Sequence, residues 1–240
     1  MNRSLADTRH WMREGTELLV DATTRLDEAA YDAPSVLPGW SRKHVVAHVA
    51  ANADALANLV HWAATGTPTP MYASPEERAT GIREGGRQPG TRLTEWLRLS
   101  SDALEKAMEE LDDNQWASRV LTAQGRTVAA TEIPWLRSRE VWVHAVDLGS
   151  GINFTALPAD FLMALSDDIV TKRRGAPGPE IILRPTNMAT RWYLPGAPDE
   201  EGAAVTVTGP LTEIAAYLAG RHHGATTAEG VAVPALPAWL

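Results

Sequence analysis

The sequence contains no cysteine. Disulfide frameworks, thiolate metal sites and cysteine nucleophiles are thereby excluded, so any sulfur chemistry here must draw its sulfur from a cofactor. Long apolar runs are missing as well. No window approaches the roughly 18 consecutive apolar residues of a membrane span, and the opening MNRSLADTRHWMREGTELL is charged from its first turn, without the apolar core of a secretory signal. These features predict a soluble, cytoplasmic protein with no membrane partner. Lys/Arg-rich runs are absent too, and the net charge of −8 gives a nucleic-acid backbone no electrostatic footing. There is no Gly-x-Gly-x-x-Gly after a strand, no Gly-x-x-x-x-Gly-Lys-Ser/Thr and no Gly-x-Ser-x-Gly. Nucleotide cofactors and an α/β-hydrolase nucleophile therefore lack their usual loops. Two phenylalanines and four tyrosines are few beside nine tryptophans, a mix that suits large rigid surfaces packing helices or lining a pocket.

What is present is an ordinary globular composition over 240 residues, enough for one large domain or two small ones. From Leu5 the apolar positions Leu5, Trp11, Leu18, Leu19, Ala22 and Leu26 recur near helical spacing, predicting one long helix that ends before Asp32, Pro34, Pro38 and Gly39. Ser41 is a good cap for a second, alanine-rich helix that runs to Gly66. Ser74-Pro75-Glu76-Glu77 opens a shorter one by combining a cap, a proline in the first turn and acidic residues beside the helix N-terminus. A third long helix is expected from about Thr91 to Leu111, then an irregular stretch with a hairpin or loop around Gly125, then a helix from Thr131 to the Gly149-Ser150-Gly151 breaker. Beyond it the grammar changes. A short helix follows Pro158, then a Gly/Pro-rich turn, three short β-like runs (EIILRP, TRWYLP, AAVTVTG) and a helix over Leu211 to Gly220. The fold class is therefore α+β in two domains, a helical bundle over 1–150 and a smaller α+β module over 151–240.

Among seven histidines, spacing singles out a few. Glu140 and His144 are four apart on the fourth long helix, so they project from one face about a turn apart and can share a divalent ion. His44 and His48 repeat that spacing on the second helix, and bundles build metal sites from facing helices. One of these histidines with Glu140 and His144 makes a three-ligand set, the usual form of a catalytic zinc site that keeps one position open. His48, among small apolar neighbours, is the better ligand. His44 is expected at the surface or behind a ligand. Asp147, one turn beyond His144, could orient its imidazole or could equally be a surface residue at a helix end. His61 is expected to cap or pack, and the tandem His222-His223 to sit in a solvated loop or to meet an anion. Trp135 and Trp142, two turns apart, form a helix seam that reads as core.

The segments LPGWSRKHVVAHVAANADAL (37–56) and IPWLRSREVWVHAVDLG (133–149) resemble the second- and fourth-helix motifs of the DinB-like metal-dependent four-helix bundles. The tail VTVTGPLTEIAAYLAGRHHG (205–224) is similar to the second domain of mycothiol-dependent maleylpyruvate isomerases. The resemblance places the metal ligands on His48, Glu140 and His144. Where the wider DinB-like group commonly carries histidine, this chain has Glu140, which narrows the likeness to the mycothiol-using branch. It implies zinc and mycothiol as cofactors and a small dicarboxylate as substrate. The implied reaction is the cis–trans isomerisation of maleylpyruvate to fumarylpyruvate in gentisate breakdown, by reversible addition of a thiolate. A coordinating thiol loses its proton to the charge of the ion. Arg78 and Arg221, the latter for its place in the tail segment, are the candidate catalytic residues, because a guanidinium fork matches a carboxylate, with a structural salt bridge as the equal alternative for each. Two further readings accompany this one, a mycothiol S-transferase acting on electrophiles and a binding module that the ion merely braces. A monomer is expected.

Overall fold

The computed structural model describes residues 3–174, 178–196, 204–228 and 230–237. Part of the Gly/Pro-rich turn after Lys172, and the first residue of the AAVTVTG run, lie outside the described residues. The chain divides into two compact units, one spanning Ser4–Ile152 and one that takes in Asn153–Leu240.

In the first unit α1 runs over Leu5–Thr24, its start closed by a capping box in which Ser4 and Asp7 each satisfy the other's backbone N–H. The expected single helix to the Asp32 region is in fact two. Asp27 accepts from the Ala30 N–H and starts a separate short helix, α2 (Glu28–Asp32). Periodicity alone misses this break, because Leu26 continues the apolar pattern while the next side chain competes for the backbone. Helix α3 covers Arg42–Thr65, begins at Ser41 and stops at Gly66, whose φ of 74° lies in the left-handed region that favours glycine at a helix end. Ser74 caps α4 (Pro75–Gly85) by accepting from the Glu77 N–H. After α5 (Gly90–Glu109) and the short α6 (Asp113–Ala117), the irregular stretch forms a hairpin. Its strands β1 (Arg119–Leu121) and β2 (Thr127–Ala129) pair antiparallel, with Gly125 at φ 74° in the turn. A 3₁₀ turn over Ala130–Glu132 then leads into α7 (Ile133–Asp147).

The four long helices α1, α3, α5 and α7 make the bundle: α3 packs on α5 and α7, α1 lies along α7, and α4 leans on α3. Burying apolar side chains at roughly 25 cal/mol per Å² drives this packing, and the core holds Leu19, Leu56, Leu59, Leu93, Leu97, Leu104, Met108 and Ile133. Trp135 and Trp142 are core residues, as their spacing predicts. Trp135 meets Trp11 edge to face at 6.0 Å, and the Trp142 indole N–H donates to the Trp11 carbonyl at 2.8 Å. Polar pins fix α7 from both sides. Ser138 donates to the Thr8 carbonyl on α1. Arg42, the first residue of α3, donates to the carbonyls of Leu148 (2.8 Å) and Gly149 (2.7 Å) just past the end of α7, where helix carbonyls lack partners.

The second unit contains α8 (Ala159–Lys172), strands β3 (Ile181–Pro185), β4 (Trp192–Leu194) and β5 (Val205–Gly209), helix α9 (Leu211–Leu218) and the two-residue β6 (Thr226–Thr227). The sheet order is β4-β3-β5-β6, with β3 and β5 parallel and the outer pairs antiparallel. One face, with Ile181, Leu183, Trp192, Leu194 and Val207, is buried with α8 and α9. Strand β6, two residues long, is too short to leave a periodic signal in the sequence. Among the described residues no helix is long and apolar enough to cross a membrane.

Candidate metal centre

Helices α3 and α7 bring His48, Glu140 and His144 together. One donor atom from each lies within 4.8 Å of the other two, the arrangement a bound cation needs. His48 Nε2 stands 3.0 Å from Glu140 Oε2, and His144 Nε2 stands 3.4 Å from the same oxygen. The two imidazoles meet edge to face at 4.8 Å. A tetrahedral ion holding nitrogen at about 2.0–2.1 Å sets donor separations of roughly 3.3 Å, so the cluster has the right size for such an ion. Its chemistry also fits, with two neutral-capable nitrogens and one carboxylate. His48 is buried, and Glu140 and His144 are only slightly exposed.

The carboxylate is charged and the rings differ. Burial opposes ionisation of Glu140, but hydrogen bonds from His144 and His48 outweigh it and hold the carboxyl well below the usual range. Burial lowers the pKa of His48 against the pull of Glu140. His144 is buried as well, yet its hydrogen bonds to Asp147 and Glu140 prevail and raise it to about 9. Asp147 is fully buried, and its Oδ2 lies 2.9 Å from His144 Nδ1. That excludes the surface reading of Asp147. With Nδ1–H donated to this carboxylate, Nε2 is left as the nitrogen that faces Glu140.

His44 does not join the cluster. Its Nδ1 accepts from the Ser41 N–H and lies 2.8 Å from Ser41 Oγ, making the reciprocal partner of a capping box at the start of α3. The spacing Ser-x-x-His carries that signal, with histidine standing where Glu or Gln is usual. His61 is exposed on α3 rather than packed. Trp40 packs beside both histidines, its ring 5.6 Å from His48 and 6.3 Å from His44.

Arg78 reaches the cluster from α4. Its Nη2 lies 3.5 Å from His48 Nδ1, its guanidinium stands 5.8 Å from the centre of the Tyr72 ring, and no carboxylate among the described residues pairs with it. Arg221 belongs to the second unit, where its Nη1 donates to the Ala219 carbonyl at 2.6 Å. His223 of the same unit stacks edge-on against Tyr217 at 5.1 Å, and burial lowers its pKa.

Arg137, one turn before Glu140, escaped the sequence reading. It is 1% exposed and donates to the Val49 carbonyl (2.6 Å), Asn52 Oδ1 (3.0 Å) and Ser101 Oγ (2.9 Å), all uncharged. Burial lowers its pKa to about 10 in spite of the nearby charges of Glu140 and Asp54. An arginine in a helix pattern reads as solvated, and no local signal distinguishes this one.

A four-helix bundle with two nitrogens and one carboxylate oxygen converging from α3 and α7, joined in one chain to a small α+β unit, defines a two-part protein of the metal-binding bundle class. Both parts match described families. Residues 12–149 match the mycothiol maleylpyruvate isomerase N-terminal domain and residues 156–238 the MDMPI C-terminal domain. Among solved structures, that of the mycothiol-dependent maleylpyruvate isomerase is 40% identical with a TM-score of 0.91, covering 99% of this chain and 98% of that one. A histidine-to-alanine mutant of that enzyme matches with the same values. No curated protein matches the chain. The chain belongs to the mycothiol-dependent maleylpyruvate isomerase family.

Proposed function

We propose that this protein is a cis–trans isomerase that converts maleylpyruvate to fumarylpyruvate with mycothiol as cofactor, and that its divalent metal, zinc, is held by His48, Glu140 and His144. The observation that carries the reading is the convergence of these three donors within 4.8 Å, in a chain whose two parts both match this family. The helical part, 1–150, carries the metal, and 151–240 is the second domain. The gentisate branch of aromatic breakdown and a cytoplasmic location go with this substrate.

A bound divalent cation supplies the positive charge that favours the thiolate form of a thiol at neutral pH. Mycothiol, when bound, would supply the thiolate for reversible addition to the cis carbon–carbon double bond next to the carbonyl, the chemistry by which the bond could be restored as trans. The residues of the chain would hold and orient the reactants. Asp147 keeps the proton of His144 on Nδ1, so that Nε2 is the donor atom. His48 giving its Nε2 lone pair to a cation carries its proton on Nδ1, and it then no longer accepts from Arg78. The Arg78 guanidinium, without a carboxylate partner among the described residues, is available to a substrate carboxylate. Arg221 is the second catalytic candidate, on its place in the tail segment 205–224.

The test combines a metal assay with ultraviolet monitoring of maleylpyruvate, with and without mycothiol. Zinc near one equivalent and isomerisation that needs the thiol without consuming it are expected. Stoichiometric loss of thiol would make the protein a mycothiol S-transferase instead, and isomerisation indifferent to thiol would end the reading.

A further inference from the structure

A cleft of about 450 Å³ lies beside the metal cluster, walled by α3 (Ala51, Asp54, Asn58), the segment at Tyr72, α4 (Arg78, Gly81) and Trp96 of α5. None of the three cluster residues lines it. Arg78 joins the two spaces, because it lines the cleft and its Nη2 lies 3.5 Å from His48 Nδ1. The size is within the usual range for small-molecule sites, roughly 300–1,000 Å³.

Its lining is selective. Trp96 is half-buried, and its indole N–H donates to Asp54 Oδ2 at 2.8 Å, which fixes the ring. Asp54 is exposed and keeps acceptor capacity beyond that bond. Asn58 spends its amide N–H groups on the carbonyls of Pro70 (3.3 Å) and Met71 (3.4 Å), which holds the segment leading to Tyr72 and leaves its side-chain oxygen as an acceptor. Tyr72 adds a phenol whose pKa burial raises, so it remains a hydrogen-bond donor at neutral pH. The walls also carry Glu77. Two carboxylates make the body of the cleft unfavourable for a dianion, and Arg78 is its single cation among the lining residues. A fixed indole with a carboxylate and an amide oxygen as acceptors suits a neutral body rich in hydroxyl groups, in which C–H faces meet the ring and O–H groups donate to the acceptors.

We propose that this cleft seats the polyhydroxylated body of the thiol cofactor, with the sulfur end directed past Arg78 toward His48, Glu140 and His144. The inference rests on the mycothiol-dependent reading above and extends it to a place on the protein. The dicarboxylate then approaches from the Arg78 end.

Gly81 provides a test that spares the fold. It lies within α4 and lines the cleft, and a Cβ added there meets nothing within 4 Å. A side chain at this position projects into the open space, and replacing glycine inside a helix raises helix propensity. Gly81→Leu is expected to raise KM for mycothiol at least tenfold, with zinc content and kcat at saturating thiol unchanged and the melting temperature not lowered. Asp54→Asn is expected to raise the same KM with KM for maleylpyruvate unchanged. Calorimetric titration of wild type with the glucosaminyl-inositol moiety of mycothiol, which lacks sulfur, should give binding that Gly81→Leu abolishes. Unchanged KM for mycothiol in both variants, or no binding of the sulfur-free moiety to wild type, overturns the assignment of the cleft while leaving thiol-dependent isomerisation intact. Failure of the mycothiol reading itself has a different signature, which is wild type whose turnover ignores the thiol.

Discussion

The carboxylate of Asp147, fully buried, lies 2.9 Å from Nδ1 of His144, the opposite ring nitrogen from the one that faces Glu140. Such outer partners fix the tautomer and orientation of a ligand, and their loss typically costs 10- to 100-fold in metal affinity. Asp147→Asn keeps the shape and removes the charge. Chelator competition should show zinc affinity falling by about that factor, with the helical content preserved. An unchanged affinity would mean that Asp147 only packs.

The same pair sets a pH dependence. In metal-free protein His144 titrates at about 9, above its ordinary 6.5, because hydrogen bonds to Asp147 and Glu140 outweigh burial. A raised pKa contributes stability that is complete below the unfolded value and is lost as pH rises through the folded one. Metal-free protein should therefore lose this share of its stability between about pH 6.5 and 9. A bound cation must displace the His144 proton, so metal loading below pH 9 should release close to one proton from this ring. Apparent affinity should rise with pH across that window, as read by calorimetry in buffers of different ionisation enthalpy. Equal heats in all buffers would contradict the assignment.

Arg78 offers a substitution that separates substrate from metal. Arg78→Lys keeps the charge but loses the planar fork that matches a carboxylate. A loss of about tenfold or more in kcat/KM is expected, the size of one impaired charge-assisted contact at about 1.4 kcal/mol per decade. Zinc content should not change. Loss of zinc together with activity would assign Arg78 to holding His48 instead.

Gly15 lets α1 approach α7. A Cβ at this position would stand 2.6 Å from Val141 Cγ2 and 2.9 Å from the Trp142 indole nitrogen. Neither neighbour is a free surface chain, since both are buried. Gly15→Ala should therefore destabilise by about 1–3 kcal/mol, the usual range for overpacking, even though alanine is the better helix former. Denaturant unfolding measures it. Stabilisation would mean that the helices slide apart without cost.

What the sequence made legible follows from where its signals are local. Ser41, Gly66, Ser74 and Pro75 act through backbone groups within a turn of themselves, and the helices begin and end where they stand. Glu140 and His144 are readable as a pair because one helix carries both. The break at Arg25–Asp27 was hidden because Leu26 keeps the apolar period while Asp27 caps a new helix. The preference for His48 over His44 rests in the sequence on the small apolar neighbours of His48, and the structure adds a second reason, since His44 is engaged by Ser41. Arg137 and Trp96 left no trace, for their partners Val49, Asn52, Ser101 and Asp54 are distant in sequence.

The clamp of Arg42 on the last carbonyls after α7 has a mechanical consequence. Glu140, His144 and Asp147 ride on one helix, so their placement against His48 depends on the register of α7 against α3. Arg42 of α3 holds that register at one end, and Arg137 of α7 holds it along the length by donating to the Val49 carbonyl and Asn52 Oδ1 of α3. A slip of one residue, about 1.5 Å of rise and 100° of rotation, would carry the carboxylate away from His48. The spacing of the candidate metal site is thus kept by contacts outside His48, Glu140 and His144, and mutational tolerance at Arg42 should track metal retention more closely than bundle stability.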